Sequence, residues 1–498
     1  MTPTTAHTDA PKRVHYQVTF YVLAAGVGAY ALLQSLVTPV LPTIQAALHT
    51  SQTNVTWVLT AYLLSASILT PILGRLGDMF GKERMFVIAM VLLGVGCLLS
   101  AVAHSLGLMI VGRLIQGAGG GAMPLAFGII RDEFPAEKVA GAVGSMAALV
   151  AAGAGLGVVL AGPIVDGLSY HWLFWLPLVV IVIAAVAAHL VIPETANRTP
   201  GKINWFTATL MSLWLAALLL GVSEASDWGW GSPKTIGLIL LGLVLCGVWI
   251  AAEARSDNPL IDMKMMKIRA VWTNNLVAAL FGFGMYAVFA FLPELLQTKP
   301  EVAGYGFGAT ITESGLMLLP MTVAMFIFGN MTGKLSARFG SKALVIGGSA
   351  LGVVALLLLT FEHDHRGPIY VSMALMGVGF GLAFSAMSNL IVAAVSPQQT
   401  GVASGMNANI RTIGGALGAA LTGTVVTSGA SASGLPKEAG YNHGFLMLSI
   451  ALILAALAAL AIPAAEKLAA PHDITPEELP HAELALVAAG TLVGDDPE

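Results

Sequence analysis

Charge is scarce in this chain. Only 10% of its 498 residues are Asp, Glu, Lys or Arg, where an ordinary soluble domain carries about a quarter, so a water-facing surface cannot be assembled from them. Cysteine is nearly missing. Cys97 and Cys246 both fall in apolar stretches, which leaves no disulfide framework and makes the redox compartment unreadable. There is no phosphate-binding loop of the ATPase type, and no His, Asp and Glu cluster at metal or catalytic spacing on helices. Those absences argue against a membrane-embedded enzyme, and neither a cofactor, a metal nor a nucleic acid is expected. The first sixteen residues are polar and show no cleavable signal. The net charge of −4 says little, because the few charges sit in loops and tails.

What the chain has in quantity is apolar length. Hydrophobic residues make up 56% and the mean hydropathy is +0.82. Glycine, at 56 residues, suits close packing of transmembrane helices. A helix crosses a bilayer in roughly 20 apolar residues, and fourteen such segments can be read between residues 17 and 463. An even count puts both termini on one side. With that side cytoplasmic, seventeen of the 23 basic residues lie inside and four outside, with Arg113 and Arg411 within spans. The expected product is an all-α polytopic protein of the cytoplasmic membrane, in contact with lipid and working as a monomer.

A polar turn occurs twice between apolar segments. GRLGDMFGKERMF runs from Gly74 to Phe86, and GKLSARFGSKALV returns from Gly333 to Val345, 259 residues later. Gly117, Gly119 and Gly121 are matched by Gly377, Gly379 and Gly381, and Gly141 by Gly401, at an offset of 260. Spans 1–6 and 9–14 therefore read as two equivalent six-helix bundles. The expected organisation is a cytoplasmic tail (1–16), a first bundle (17–193), a linker with an inserted helix pair (194–269), a second bundle (270–463) and an acidic cytoplasmic tail (464–498). Trp228 and Trp230 would place the outer turn of the inserted pair at the interface. Two parallel halves with a site between them suit alternating access, and fit a channel badly.

Three runs carry a family resemblance. Gly74-Arg75-Leu76-Gly77-Asp78-Met79-Phe80-Gly81-Lys82 resembles the loop signature after span two of the major facilitator superfamily. Arg113-Leu114-Ile115-Gln116-Gly117 resembles the fourth-span motif of its proton-coupled members. The run from Gly153 through Gly157 to Gly162-Pro163 resembles the span-five signature of antiporters. Residues 17–463 are thereby similar to the fourteen-span drug:proton antiporter branch, bacterial multidrug exporters that exchange protons for small lipophilic or cationic substrates. The alternative is a narrow transporter of one endogenous solute or lipid, not driven by protons.

The resemblance implies a conformational latch in Gly74, Arg75, Asp78, Gly81, Lys82 and Arg84, with Asp78 compensating a helix N-terminus and the basic residues holding the loop at the interface. Topology control by the basic residues alone is the plainer reading. Arg113 is costly in a span and must find a partner; it either tunes a proton carrier or substrate, or bonds backbone carbonyls. The glycines of the span-five signature permit close packing and a bend. Where members of the branch carry an aspartate in span one, this chain has Leu33, which leaves Asp166, Glu294 and Glu313 as acidic candidates for proton coupling, with Arg113. Glu313, in a first helical turn, has an ordinary explanation as dipole compensation. Candidates for the cavity wall are Tyr30, Gln34, Gln116, Phe281, Tyr286, Phe289, Met373, Met376, Asn407 and Arg411. Met and aromatic walls suit adaptable binding.

Overall fold

A computed structural model describes residues 15–194, 204–256, 259–428 and 436–463. The expected tails and the basic linker residues Arg198 and Lys202 lie outside the described residues. Among the described residues the structure is helical and has no strand.

Fourteen long helices follow in order. The first seven are α1 (Tyr16–Ala47), α2 (Gln52–Phe80), α3 (Lys82–Ala101), α4 (Leu106–Glu133), α5 (Ala136–Gly167), α6 (Trp172–Val191) and α7 (Trp205–Ser223). The second seven are α8 (Pro233–Arg255), α9 (Arg269–Gln297), α10 (Ile311–Phe339), α11 (Ser341–Phe361), α12 (Arg366–Ala394), α13 (Thr400–Thr427) and α14 (Glu438–Leu460). Thirteen of them are long and apolar enough to cross a membrane. The exception is α13, which has the length, 28 residues, but spends positions on Asn407, Asn409, Arg411 and several threonines. Asn407, Asn409 and Arg411 are buried inside the bundle, away from lipid, where a charge would cost most.

Packing sorts the helices by sequence half. In the first set α1 lies against α5 and α6, and α3 against α4 and α6. In the second α9 lies against α13 and α14, and α11 against α12 and α14. The halves meet along α5 with α10 and along α2 with α13, contacts that the repeat relates to each other. Helices α7 and α8 pair, and α7 rests on α2 and α13. Large apolar side chains such as Ile183, Leu243, Val244 and Leu457 remain exposed on the outside, as a lipid-facing surface requires.

Local sequence explains the breaks. Span four loses its α-helical winding over Gly117–Gly121, which is 3-10 helix. There the backbone of α2 presses in: a Cβ on Gly117 would sit 2.5 Å from the Ser65 side chain and 2.6 Å from the Ala66 nitrogen. The two polar turns end alike, at Gly81 (φ +115°) and Gly340 (φ +79°), a region that favours glycine.

Candidate functional site

Between the two halves lies a cavity of about 230 Å3. Tyr30 and Gln34 of α1, Tyr62 and Ser67 of α2, Met285, Tyr286 and Phe289 of α9, Phe384 of α12 and Asn409 and Arg411 of α13 line it. Gln34 Nε2 donates to the Tyr286 hydroxyl at 3.2 Å, which joins the halves across the space. Arg411 is 6% exposed, its guanidinium 4.3 Å from the centre of the Phe384 ring. Its Nε has no hydrogen-bond partner, and neither has the side-chain oxygen or nitrogen of Asn409 or the hydroxyl of Ser67. Every other lining residue is uncharged.

Behind one wall sits a second buried cation. Arg113 is fully buried; Nε donates to the Val58 carbonyl at 2.9 Å and Nη1 to Gln116 Oε1 at 2.7 Å. Gln116 in turn donates to Ser100 Oγ at 2.9 Å. The guanidinium lies 4.1 Å from the centre of the Tyr62 ring, so Tyr62 separates it from the cavity. Arg113 thus holds backbone carbonyl and amide partners, with cation–π cover in place of a carboxylate.

The first polar turn reaches across the halves at the end rich in basic residues. The backbones of Gly74 and Gly401 touch: a Cβ on Gly74 would lie 2.7 Å from the Gly401 carbonyl oxygen. That approach brings the Asp78 carboxylate to the first turn of α13, beside Gly401 and the Val402 amide. Neither carboxylate oxygen completes a hydrogen bond, so the attraction is that of a charge for the positive end of a helix. Lys82 lies 4.0 Å from Asp78 and 2.5 Å from Asp132, and all three are almost wholly buried. Arg131 completes the seal, with Nη1 donating to the Val392 carbonyl at 2.5 Å and to Thr400 Oγ1 at 2.9 Å.

The repeat has a second, weaker copy of this contact. Gly333 approaches Gly141, its hypothetical Cβ 2.9 Å from the Gly141 Cα. Ala337 stands where Asp78 stands in the first copy, so only one of the two inter-half contacts carries a charge.

Comparison with known proteins settles the family. The Major Facilitator Superfamily model matches residues 23–419 and 275–493. The chain belongs to the Major Facilitator Superfamily. An uncharacterized MFS-type transporter of Mycobacterium tuberculosis (strain ATCC 25618 / H37Rv) is 27% identical over 83% of this chain, which spans only 60% of that relative's length. Multidrug transporter protein MdtP of Bacillus subtilis (strain 168) is 29% identical, over 75% of this chain and 68% of its own. The tetracenomycin C resistance and export protein of Streptomyces glaucescens is 27% identical, over 82% and 76%. Among solved structures, the human organic anion transporter MFSD10 (TETRAN) superposes with TM-score 0.64 at 17% identity, covering 89% of this chain and 99% of its own, a likeness of fold alone. Family and relatives are those of a transporter and not of an enzyme.

Within this superfamily fold the expected residues part company. Tyr30, Gln34, Tyr286, Phe289 and Arg411 come together around the cavity. Phe281, Met373 and Met376 do not; all three are 0% exposed and packed in the core, Phe281 edge-on to Phe380 at 4.8 Å. Asn407 turns away and donates to Asn275 Oδ1 at 2.8 Å. Gln116 serves Arg113 instead of the wall. The span-five glycines lie between helices: Gly153 and Gly157 against α1, Gly162 against Thr312 of α10, with Pro163 within α5 near its end.

None of the acidic candidates is among the residues lining the cavity. Glu313 closes a capping box: its Oε2 accepts the Thr310 amide at 2.9 Å, while its own amide donates to Thr310 Oγ1 at 3.1 Å, which accounts for it as a helix cap. Asp166 accepts from Thr312 Oγ1 at 2.9 Å, pinning the end of α5 to the start of α10. Glu294 is on α9 just after Pro293. At the same end of the molecule as Asp166, His171 stacks on Tyr170; burial, then the neighbouring His104, holds its pKa below the ordinary histidine value.

Tyr62, Asp132, Arg131 and Phe384 are the residues that sequence reasoning passed over. Tyr62 and Phe384 look like any apolar span residue. Arg131 and Asp132 sit in a loop-end RDE run that reads as solvated charge, and only the fold turns them inward. Lys82 and Arg84 looked alike in the motif, yet Lys82 is 1% exposed and Arg84 63%.

Proposed function

We propose that the protein is a secondary active transporter that exports amphipathic organic compounds across the cytoplasmic membrane by alternating access, in exchange for protons. In this reading α13 also crosses the membrane, making fourteen spans, both termini are cytoplasmic, and the basic end of the bundle faces the cytoplasm. The observation that carries the reading is the cavity between the halves, shut at its basic end by contacts that belong to two different halves: Gly74 on Gly401, Asp78 on α13 and Arg131 on Val392 and Thr400. Those contacts can form only when that end is shut, so breaking them is the opening step of the cycle. Relatives named for multidrug transport and for tetracenomycin C resistance and export support the reading of export.

One observation favours a second reading, transport without proton exchange. No carboxylate is among the residues lining the cavity, so a proton carrier would have to act from Asp166, Glu294 or the latch. The test is transport of lipophilic fluorescent dyes into or out of proteoliposomes under an imposed pH gradient. Gradient-driven dye movement, lost in Asp166→Asn or Glu294→Gln, supports proton exchange. Movement indifferent to the gradient supports the second reading, and movement of no dye overturns drug export.

A further inference from the structure

The central cavity has a lopsided electrostatic character. Of the residues that line it, Arg411 alone is charged. It is 6% exposed, makes no salt bridge among the described residues, and leaves Nε without an acceptor. Two residues back on the same helix, Asn409 is 2% exposed and leaves both amide atoms without partners. A buried cation missing a counter-ion and a buried amide missing its hydrogen bonds, both in one cavity wall, are a costly arrangement. The cost is removed when a ligand brings the missing acceptors.

The rest of the wall tells which acceptors fit. Phe384 covers one face of the Arg411 guanidinium and the Tyr286 hydroxyl meets part of its edge, while Nε still lacks an acceptor. A guanidinium edge matches a carboxylate or similar oxyanion in two parallel hydrogen bonds. Arg113, behind Tyr62, adds positive potential from the opposite half. Tyr30, Tyr62, Tyr286 and Phe289 supply aromatic surface for a flat apolar body. A lipophilic cation would meet two guanidinium groups and no carboxylate.

We propose that the central cavity binds amphipathic organic anions, an aromatic body carrying a carboxylate or other oxyanion, with Arg411 as the residue that recognises the charge and Asn409 as a second hydrogen-bonding group elsewhere on the wall. This rests on the reading of the cavity as the transport site and changes the substrate class expected from the sequence, which included cations.

The experiment uses three ligands with one aromatic body: naphthoate, naphthamide and naphthylmethylamine. Binding to the purified full chain in detergent is followed by equilibrium dialysis, and flux by proteoliposome transport, for the parent protein, Arg411→Gln and Arg411→Lys. The expected result is that the parent prefers naphthoate over the amine. Arg411→Gln weakens naphthoate binding by roughly ten- to a hundredfold, the worth of a charge-assisted hydrogen bond, and weakens naphthamide binding less, while an unfolding temperature matching the parent's shows that the variant is folded. Arg411→Lys, retaining charge but losing the fork, falls between them. Equal naphthoate affinity in parent and Arg411→Gln overturns the proposal, as does a parent that prefers the amine. The two readings fail separately. Naphthoate binding that depends on Arg411 with no flux of any ligand upholds the site and overturns transport. Flux of naphthamide with Arg411-independent naphthoate binding upholds transport and overturns the site.

Discussion

Gly74→Ala is the sharpest test of the latch, because the added methyl meets only the other half of the molecule. Its Cβ would lie 2.7 Å from the Gly401 carbonyl oxygen and 2.9 Å from the Gly401 carbonyl carbon. Both are backbone atoms and cannot swing aside as a side chain could. Overpacking of this kind costs about 1–3 kcal/mol. The cost falls on the closed state alone, since Gly74 and Gly401 separate when the basic end opens. An energy of about 1–3 kcal/mol moves a two-state equilibrium about 5- to 150-fold toward the open form. Gly141→Ala is the control: Gly141 is the repeat mate of Gly401, and nothing lies within 4 Å of its hypothetical Cβ. Spin labels on cysteines replacing the exposed Glu137 and Ala337, with Cys97 and Cys246 changed to serine, report the opening as an inter-label distance in nanodiscs. Gly74→Ala is expected to raise the long-distance population severalfold or more, and Gly141→Ala to leave it unchanged. Identical distance distributions in Gly74→Ala and the parent would refute the argument that these two backbones hold the end shut.

Three further outcomes follow from the same contacts. Lys82→Met removes the buried cation 4.0 Å from Asp78 and 2.5 Å from Asp132, an expected loss of about 3–5 kcal/mol visible as a large drop in unfolding temperature in detergent, whereas Arg84→Met, at an exposed site, is expected to be near neutral; equal effects would contradict the burial of Lys82. Glu313→Gln keeps an oxygen that can accept the Thr310 amide, so both stability and pH-gradient dependence of transport should match the parent, and loss of gradient dependence would make Glu313 a proton carrier after all. Tyr62→Phe retains the ring over Arg113 and should be tolerated, while Tyr62→Leu removes cation–π cover worth about 2 kcal/mol or more at a desolvated site; thermal unfolding of the two side by side separates the ring from the hydroxyl.

The helices were legible because hydropathy and length are local properties. Thirteen of the fourteen expected spans meet those criteria as helices of the structure. The remaining one, α13, shows where the rule weakens. A helix sheltered by its neighbours can carry Asn407, Asn409 and Arg411, and a sum over apolar residues cannot see that shelter. The duplicated glycines were legible too, since a repeat is a pattern along the chain; the structure turns them into contacts, Gly74 on Gly401 and Gly333 on Gly141.

Which face a side chain presents is a different kind of information. Met373, Met376 and Phe281 have the composition of a cavity wall and lie in the core, while Arg411, read as either cavity or interbundle contact, lines the cavity. Asn407 and Asn409 stand two residues apart on one helix, some 200° around its axis, and so one bonds Asn275 while the other lines the cavity. The sequence by itself determined the helical content, the internal duplication and the family, because these depend on residue type and spacing. Only the tertiary structure decided that Lys82 is buried between two aspartates, that Glu313 caps a helix, and that the cavity holds a cation with no carboxylate. Each of those depends on what a second helix, far away in the chain, places within a few ångströms.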